Sequence, residues 1–403
     1  MSHPELAPRR GPGAEGRRRR PGRPTRRAVL AVAPLLALTA GAVAVPTPAG
    51  AQMHVGPVSA WGAPDQGGST CTAPGCGTSP LPVTGVPSAS RIYGGSDVSL
   101  AVAGGTVWAW GNNVDGQLGQ GNTNPYPGAV EVPGITTAVA VAGGDENAFA
   151  LLANGTVLAW GSNGGNALGF PNTGPVLSPT PVPGVTGAKA IAAAATSGYA
   201  LLSTGSVMSW GSNDVGQLGN GTFGGKEPPA VIPNLRTVNA IWAGRDFAGA
   251  LTKKGTLYTW GLNTFGQLGN GLSTNTDAPG AILTKVAQFE LGGDNTANGH
   301  GLALLKNRTV VAWGCNSQGQ LGDGTLTNHP LPQPVPGLSQ IIQVAAHGAH
   351  SLALDISGNV WSWGANDQGQ VGNGGTEPVT APVEVLRGAL AIAAGALTSL
   401  AIT

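Results

Sequence analysis

The sequence predicts an all-β protein, a seven-bladed β-propeller whose ring is closed by pairing of strands from the N- and C-terminal regions in one blade. The first observation is a dipeptide, Trp-Gly, that occurs seven times at spacings of 49 to 53 residues. The second is the content of 67 glycines and 32 prolines, which disfavours long helices and suits tight turns. The third is that the first and last copies of the repeat are each half a unit. The tryptophans of the dipeptide are Trp61, Trp110, Trp160, Trp210, Trp260, Trp313 and Trp363.

Each unit has the pattern of short strands joined by tight turns. Residues 155–160 combine β-branched and aromatic residues, which is typical of a strand packed on both faces. Residues 150–152 predict the preceding strand, and Asn154-Gly155 is a hairpin signal because both positions accept positive φ. Arg308 stands at the place of this glycine in the unit of Trp313, so we expect that turn to be reshaped. The equivalent turns of other units end in Gly205, Gly255 and Gly358.

A second recurring element, Gly-Gln-Leu-Gly, follows Trp-Gly. We expect its glycines to make bends and its leucine to fill the space between neighbouring sheets. In the last copy Val371 replaces the leucine. The four complete copies lie at residues 116–119, 216–219, 266–269 and 319–322.

The two half-units complete one another. Residues 52–62 align only with the second half of a unit, and residues 391–402 align only with the first half. Pairing them in one shared blade would leave no exposed sheet edge. Seven four-stranded blades is a known propeller size.

These elements resemble those of the regulator of chromosome condensation repeat family, whose units carry Ala-Gly, Ser-Leu-Ala-Leu, Gly-x-Val-x-x-Trp-Gly and Gly-Gln-Leu-Gly. The resemblance covers roughly residues 53–403 and implies the propeller fold. Two segments depart from the pattern: residues 63–90 lose Gly-Gln-Leu-Gly, and residues 294–299 form a longer loop.

The N-terminal region has the order of a secretory signal peptide. An arginine-rich stretch precedes the apolar residues 28–45, and Ala49-Gly50-Ala51 follows, so we predict cleavage after Ala51. Residues 25–30 resemble a bacterial twin-arginine signal, with general export as the alternative route. An uncleaved membrane anchor is the other interpretation, because about 18 apolar residues can span a bilayer. The predicted organisation is a signal peptide at 1–51 and a propeller at 52–403, secreted or held at the cell surface without membrane insertion after cleavage.

Cysteine use fits an extracytoplasmic protein. Cys71 and Cys76 lie five residues apart in a Gly/Pro-rich loop and are predicted to form a disulfide in an oxidising compartment. Cys315 follows a repeat Trp-Gly and is predicted to be a small buried residue.

The charge distribution argues against a nucleic-acid partner. Nine of the 20 basic residues are arginines in the leader, and residues 52–403 hold 11 basic residues against 17 acidic ones. No segment of this part has a run of basic residues, whereas binding to a phosphate backbone requires clustered cations.

The sequence contains none of the common catalytic or cofactor signatures. It has no Gly-x-Ser-x-Gly elbow, His-Glu-x-x-His motif, Gly-Lys-Ser/Thr phosphate loop or Cys-x-x-Cys pair. The Gly-x-Gly-x-x-Gly at residues 219–224 follows a repeat turn and leads into no predicted helix. His347 and His350 lack neighbouring acidic or cysteine ligands. We therefore predict no catalytic residues, no cofactor and no metal site.

One loop varies from copy to copy, the loop before the Leu-Ala-Leu strand. Equivalent loops of a ring lie on one face, so we predict that their polar side chains form a composite binding surface, with ordinary solvated loops as the alternative. The candidate residues are Asp145, Glu146, Arg245, Asp246, Phe247, Asp294, His347 and His350.

Three functions follow from these observations. The leading prediction is an exported, monomeric, non-enzymatic binding module for a protein or cell-wall ligand, and the resemblance implies this because secreted bacterial members of the family include inhibitors that cap other enzymes. The second is guanine-nucleotide exchange on a small GTPase, as in the nuclear founder of the family, which export and acidic charge disfavour. The third is an unrecognised hydrolase or lyase, which requires convergent acids in the central channel.

Overall fold

The computed structural model describes residues 55–62, 77–96, 98–126, 128–171, 174–293 and 299–403. The predicted signal peptide, the predicted disulfide between Cys71 and Cys76, and Asp294 lie outside these residues. The described chain forms 28 β-strands and one turn of 3-10 helix, Gly164–Asn166. The all-β prediction is therefore confirmed.

The strands form seven antiparallel four-stranded sheets, which are the blades. Blades 1 to 6 each take four consecutive strands, and blade 7 combines the last two strands of the chain with the first two. In chain order the strands are β1 (Val58–Gly62) and β2 (Leu81–Pro82) in blade 7; β3 (Arg91–Gly94), β4 (Val98–Ala103), β5 (Thr106–Gly111) and β6 (Val130–Glu131) in blade 1; β7 (Ala138–Gly143), β8 (Asn147–Leu152), β9 (Val157–Gly161) and β10 (Val176–Pro181) in blade 2; β11 (Ala188–Ala193), β12 (Ser197–Leu202), β13 (Val207–Ser212) and β14 (Lys226–Val231) in blade 3; β15 (Val238–Ala243), β16 (Phe247–Thr252), β17 (Leu257–Gly261) and β18 (Thr276–Leu283) in blade 4; β19 (Val286–Gly292), β20 (His300–Leu305), β21 (Val310–Gly314) and β22 (His329–Pro334) in blade 5; β23 (Ile341–His347), β24 (His350–Asp355), β25 (Val360–Gly364) and β26 (Val379–Leu386) in blade 6; and β27 (Ala391–Ala394) and β28 (Thr398–Ile402) in blade 7.

The position of a strand within its blade explains its composition. The second strand, such as β16, is buried along its whole length because neighbouring blades cover both of its faces. The fourth strand, such as β14, lies at the rim, is largely exposed and carries two prolines. A proline is tolerated there because an outer strand leaves part of its backbone unpaired.

The ring closes as the two half-units predict. The first strand of each blade contacts the first strand of the next, and β27 of blade 7 contacts β3 of blade 1. Within blade 7, β1 pairs with β28 along its length, from Val58 opposite Ile402 to Gly62 opposite Thr398. This pairing removes the two sheet edges that an open repeat array would expose.

Each blade presents connections at two faces of the ring. The loops from the first to the second strand and from the third to the fourth lie on one side, here called the loop face. The turns from the second to the third strand, and the links to the next blade, lie on the other side, here called the turn face.

One expectation about the turn face is wrong. Arg308 does not reshape its turn: it adopts a φ of 68°, and its N–H donates to Leu305 O at 2.8 Å. Gly155, at the same place in blade 2, has a φ of 82° and donates to Leu152 O at 2.9 Å. The hairpin requires a left-handed residue at this position, so the arginine accepts that conformation.

In five of the seven blades the indole of the repeat tryptophan is hydrogen-bonded to the blade before it. Trp260 Nε1 donates to the backbone oxygen of Gln217, 2.8 Å away in blade 3. The Gln217 side chain accepts the N–H of Val215, and Leu218 N–H donates to Asn213 Oδ1 at 3.0 Å. Leu218 is buried, as predicted, whereas the structural roles of Gln217 and Asn213 were not anticipated. The same indole contact, at 2.8–2.9 Å, is made by Trp160, Trp210, Trp313 and Trp363.

Candidate functional site

Loops from three blades meet at the loop face. Arg245 of blade 4 lies 3.7 Å (Nη1 to Oδ2) from Asp145 of blade 2 and 3.6 Å (Nε to Oδ2) from Asp246 of its own loop. Ser96 of blade 1 donates from Oγ to Asp145 Oδ1 at 2.7 Å. Since blade 3 lies between blades 2 and 4, Asp145 and Arg245 belong to blades that are not neighbours. We call Ser96, Asp145, Arg245 and Asp246 the loop-face cluster.

Glycines allow these loops to approach one another. A Cβ at Gly144 would lie 2.1 Å from the backbone oxygen of Ala194 in the next blade. A Cβ at Gly244 would lie 2.3 Å from the ring of Phe247. The Ala194 backbone cannot give way to the first of these contacts, so only glycine at residue 144 permits the close approach that positions Asp145.

The cluster has an excess of negative charge. The side chains of Arg245, Asp145 and Asp246 are 29%, 15% and 27% exposed. Burial raises the pKa of Asp246, Arg245 opposes this shift, and the charges of Asp145 and Asp214 add to it. One guanidinium is therefore within ion-pair distance of two carboxylates.

Three large side chains lie beneath the cluster on the first strands of their blades. Tyr93 donates from its hydroxyl to the backbone oxygen of Gly143 in the next blade. Trp242 donates from Nε1 to Leu291 O, also in the next blade, at 2.9 Å. Blades 2, 3, 6 and 7 have alanine at this position: Ala142, Ala192, Ala345 and Ala393.

The third of these side chains, Glu290, is 1% exposed. Its Oε1 accepts from Gln288 Nε2 at 3.1 Å, and Gln288 in turn exchanges hydrogen bonds with the backbone of Val344. Burial raises the pKa of Glu290 well above its ordinary value of 4.5. Burial therefore favours the neutral form of this carboxyl group. Burial and the charges of Asp145 and Glu290 also raise the pKa of Tyr93.

His347 of blade 6 packs against Tyr93 of blade 1. Their ring centroids are 6.5 Å apart in an edge-on arrangement, although blade 7 separates their blades. The Nδ1 atom of His347 accepts the N–H of Gly348 at 2.8 Å, and the residue is 9% exposed. His347 therefore belongs to the floor of the loop face.

The remaining candidate residues differ in placement. Glu146 is exposed beside Asp145, whereas Phe247 and His350 are buried between blades. His350 Nε2 lies 2.9 Å from Ser399 Oγ in blade 7, and that hydroxyl donates to Gln370 O. Burial, with smaller contributions from His347 and His300, lowers the pKa of His350 to about 3. Phe247 and His350 thus support the loops from within and are not displayed on the loop face.

Sequence reasoning missed Ser96, Tyr93, Trp242 and Glu290. A signal for three of them is present in the repeat itself, because Tyr93, Trp242 and Glu290 replace the alanine of other copies on the first strand. Such substitutions stand out only after the copies are aligned strand by strand.

Within the described residues, no group of three or more His, Cys, Asp or Glu side chains is arranged to hold a metal ion. The described part of the chain also has no helix long and apolar enough to span a membrane. Cys315 is 1% exposed, as expected, and its sulfur lies 3.5 Å from Ser317 Oγ.

Solved structures share the propeller. Prp20p from Saccharomyces cerevisiae superposes with a TM-score of 0.76 at 22% identity, over 87% of this chain and 92% of that one. Yeast RCC1 (Prp20) bound to Kap60 gives 0.72 at 21% identity, over 86% and 88%. Human WBSCR16 gives 0.72 at 22% identity, over 87% and 99%. At this identity the likeness is one of fold.

A comparison with curated proteins found no match. The sequence does match a family profile, the regulator of chromosome condensation (RCC1) repeat, at residues 104–151, 154–202, 204–251, 254–297, 309–354 and 357–402. A second profile of this repeat matches residues 138–166, 238–267 and 341–370. The matched segments make up more than half of the chain. The chain therefore belongs to the regulator of chromosome condensation (RCC1) repeat family.

Proposed function

We propose that the chain is an exported, non-enzymatic binding protein that recognises a protein or cell-envelope ligand through its loop face. The observation that carries this proposal is the loop-face cluster, in which charged side chains of separate blades meet while remaining partly exposed. The solved structure of Prp20p is described together with its binding to Gsp1p and histones. Binding of a macromolecule by the propeller is the part of that description that we extend to this chain.

The charges of the cluster favour a basic group on the ligand. Arg245 approaches two carboxylates at 3.6–3.7 Å, distances longer than those of a charge-assisted hydrogen bond. Partly exposed ion pairs of this kind contribute about 0–1 kcal/mol, so a ligand cation can replace Arg245 at little cost. A lysine or arginine of a partner would then contact Asp145 and Asp246.

The test is a capture experiment with matched variants. All strands and the ring closure lie within residues 55–403, so a chain that begins at Gln52 contains the whole fold. We would immobilise this chain, incubate it with culture supernatant and cell-envelope extract, and identify retained proteins by mass spectrometry. The loop-face variant is Asp145→Asn with Arg245→Ala and Asp246→Asn, and the control is Ser203→Ala, at an exposed and uncharged position of the turn face.

We expect a ligand that the unmodified chain and the control retain and the loop-face variant loses. Equal retention by all three chains would contradict the proposal. Retention of nothing would also count against it, because a binding protein should find its ligand in one of the two extracts.

Export is the second part of the proposal and concerns residues 1–51. Support comes from the order of arginine-rich, apolar and small-residue segments ending at Ala51. N-terminal sequencing of the protein from culture medium and from cell surfaces should find Gln52 as the first residue. Replacement of Arg26 and Arg27 by lysine should block a twin-arginine route and spare general export.

A hydrolase or lyase is a second candidate, because acids do gather near the axis of the ring. Asp145 and Asp246 meet at the loop face, and Glu290 lies on a first strand below. Against this activity, Arg245 pairs with both aspartates and Glu290 is buried. Hydrolysis of a cell-envelope polymer that disappears in Asp246→Asn would favour the enzyme over the binding module. The nucleotide-exchange alternative has only the likeness of fold behind it, and we do not propose it.

A further inference from the structure

The turn face gathers basic side chains from segments that are far apart in the sequence. Seven of the 11 basic residues after residue 51 lie at this end of blades 3, 4 and 5, and we call them the basic patch. The patch consists of Lys189, Arg236, Lys253, Lys254, Lys285, Lys306 and Arg308. Five of these residues are exposed, and Lys189 and Arg308 are half-buried.

Direct contacts make the patch continuous across blades. Lys306 Nζ of blade 5 donates to the backbone oxygen of Lys254 in blade 4 at 3.4 Å. The backbone N–H of Lys306 donates to Lys285 O at 2.9 Å. Burial and the charge of Lys253 both lower the pKa of Lys189, which places blade 3 within electrostatic reach of blade 4.

Two residues of the patch hold a strained backbone conformation. Lys285 has a φ of 61° and Arg308 a φ of 68°, a region that disfavours side chains other than glycine. Blade 3 has glycine at both equivalent places, Gly187 and Gly205. Neutral residues also accept this conformation at the place of Lys285, as Thr237 does in blade 4 with a φ of 58° and Gln340 does in blade 6 with a φ of 53°. The clustering of the cations on one face, and not the strained conformation alone, therefore points to a use for their charge.

Positive charge on the turn face is scarcely opposed. Among its described turns the one acidic residue is Asp355, which is 9% exposed and accepts hydrogen bonds from its own turn. Glu384, near the turn-face end of blade 6, pairs with Arg387. The acidic side chains gather instead at the loop face, in Asp115, Asp145, Glu146, Asp214, Asp246, Asp277, Asp323, Asp367 and Glu377. The molecule therefore has a positive and a negative side.

We propose that the basic patch docks the protein on an anionic lipid bilayer. An anionic bilayer is an extended plane of negative charge, so it attracts the positive turn face and repels the negative loop face. Both effects favour the same orientation of the protein on the membrane. Five of the seven cations are lysines, whose hydrated ammonium groups suit diffuse lipid phosphates and need no bidentate geometry.

Nucleic acid fits this surface less well. The described turns of the turn face contain no aromatic residue on which a base could stack. They also form no helix or extended ribbon that could enter a duplex groove. Docking on a bilayer would direct the loop face away from the membrane and towards a soluble ligand.

The experiment measures co-sedimentation with vesicles of phosphatidylcholine, with and without phosphatidylglycerol. The chain should begin at Gln52, because the nine leader arginines would themselves bind anionic vesicles. We expect binding only when phosphatidylglycerol is present, and we expect salt to weaken it. Each basic residue near an anionic surface adds about fivefold to affinity, so a Lys253→Gln, Lys254→Gln, Lys306→Gln variant should bind about 100-fold more weakly.

Two matched variants serve as controls. Lys226→Gln removes an exposed lysine near the loop face, and Ser203→Ala changes an exposed, uncharged residue of the turn face. Both should bind anionic vesicles as the unmodified chain does, as should Arg245→Ala of the loop-face cluster. Thermal melting checks that the triple variant is folded. We expect it to be, because the three substitutions lie at exposed turn positions.

Three results would overturn the proposal: no binding to anionic vesicles at low salt, equal binding by the triple variant, or tighter binding to duplex DNA than to vesicles at the same salt. None of these results would affect the proposed function of the loop face, because that function is tested by different variants.

Discussion

The loop face and the turn face differ in how they depart from the repeat. Beneath the loop face, large side chains such as Trp242 and Glu290 replace an alanine of other copies and are buried between blades. On the turn face, Lys285 and Arg308 replace glycines and extend towards solvent. A large side chain that is buried in place of alanine needs a hydrogen-bond partner for its polar atoms, as Trp242 finds in the backbone oxygen of Leu291 in the next blade. An exposed side chain that replaces glycine has to overcome only backbone strain. The charge of the turn face can therefore change without repacking of the blades.

The largest effect is expected at the tryptophan contacts beneath the loop face. Trp260→Phe removes the hydrogen bond to Gln217 and part of the buried ring, and should lower the free energy of unfolding by about 2–4 kcal/mol. Trp110→Phe makes the same change where the indole N–H has no partner among the described residues, so it should cost about 1 kcal/mol less. Chemical denaturation of both variants measures the difference. Equal losses would show that ring volume, and not the hydrogen bond, joins the blades.

The buried acid gives the next largest effect. Because burial raises the pKa of folded Glu290 above 4.5, the unfolded chain releases this proton first as the pH rises. The unmodified protein therefore loses stability from this group above about pH 4.5. Glu290→Gln keeps a neutral, hydrogen-bonding side chain and should stabilise the protein by roughly 1–3 kcal/mol at pH 7. The gain should vanish near pH 4, and a loss at both pH values would contradict a neutral buried acid.

His350 should give the opposite pH dependence, because its contribution to stability falls as the pH is lowered. Its folded pKa of about 3 lies below its ordinary value of 6.5, so its contribution to stability is complete above pH 6.5 and declines as the pH falls towards 3. The slope from this group should be about 1.4 kcal/mol per pH unit in that window. His350→Gln, which retains a donor to Ser399, should flatten the decline measured by thermal melting. An unchanged slope would mean that His350 is protonated in the folded protein.

The smallest effect on stability is expected on the turn face. Lys285→Gly and Arg308→Gly relieve left-handed side chains and should each stabilise the protein by up to about 1 kcal/mol. The same variants should lower affinity for anionic vesicles about fivefold each. Lys254→Gly, at an exposed turn position without positive φ, should instead destabilise by about 0.5–1 kcal/mol. If the glycine variants are more stable but bind vesicles as tightly as the unmodified chain, the argument that these cations are functional fails.

The candidate site was predictable only in part. Asp145, Arg245 and Asp246 could be found because they vary between copies in loops that a closed ring places on one face. Their pairing across blade 3 could not, since it depends on how closely the loops approach the axis of the ring. Phe247 and His350 occupy the last residues of the same variable loops, yet the start of the second strand directs their side chains between blades. The displayed residues can be distinguished from the buried ones only when it is known at which residue the second strand begins.

The sequence by itself determined the number of blades, their strands and the closure of the ring, because each of these follows from a pattern within one repeat or from its phase at the two ends. The basic patch was decided by the tertiary structure alone. No stretch after residue 51 is basic, but the period of about 50 residues returns the same turn to the same face in each blade. Lys306 therefore contacts Lys254, and Lys189 comes within electrostatic reach of Lys253. Charge along a chain is a local property, whereas charge on a face depends on which residues the ring brings together.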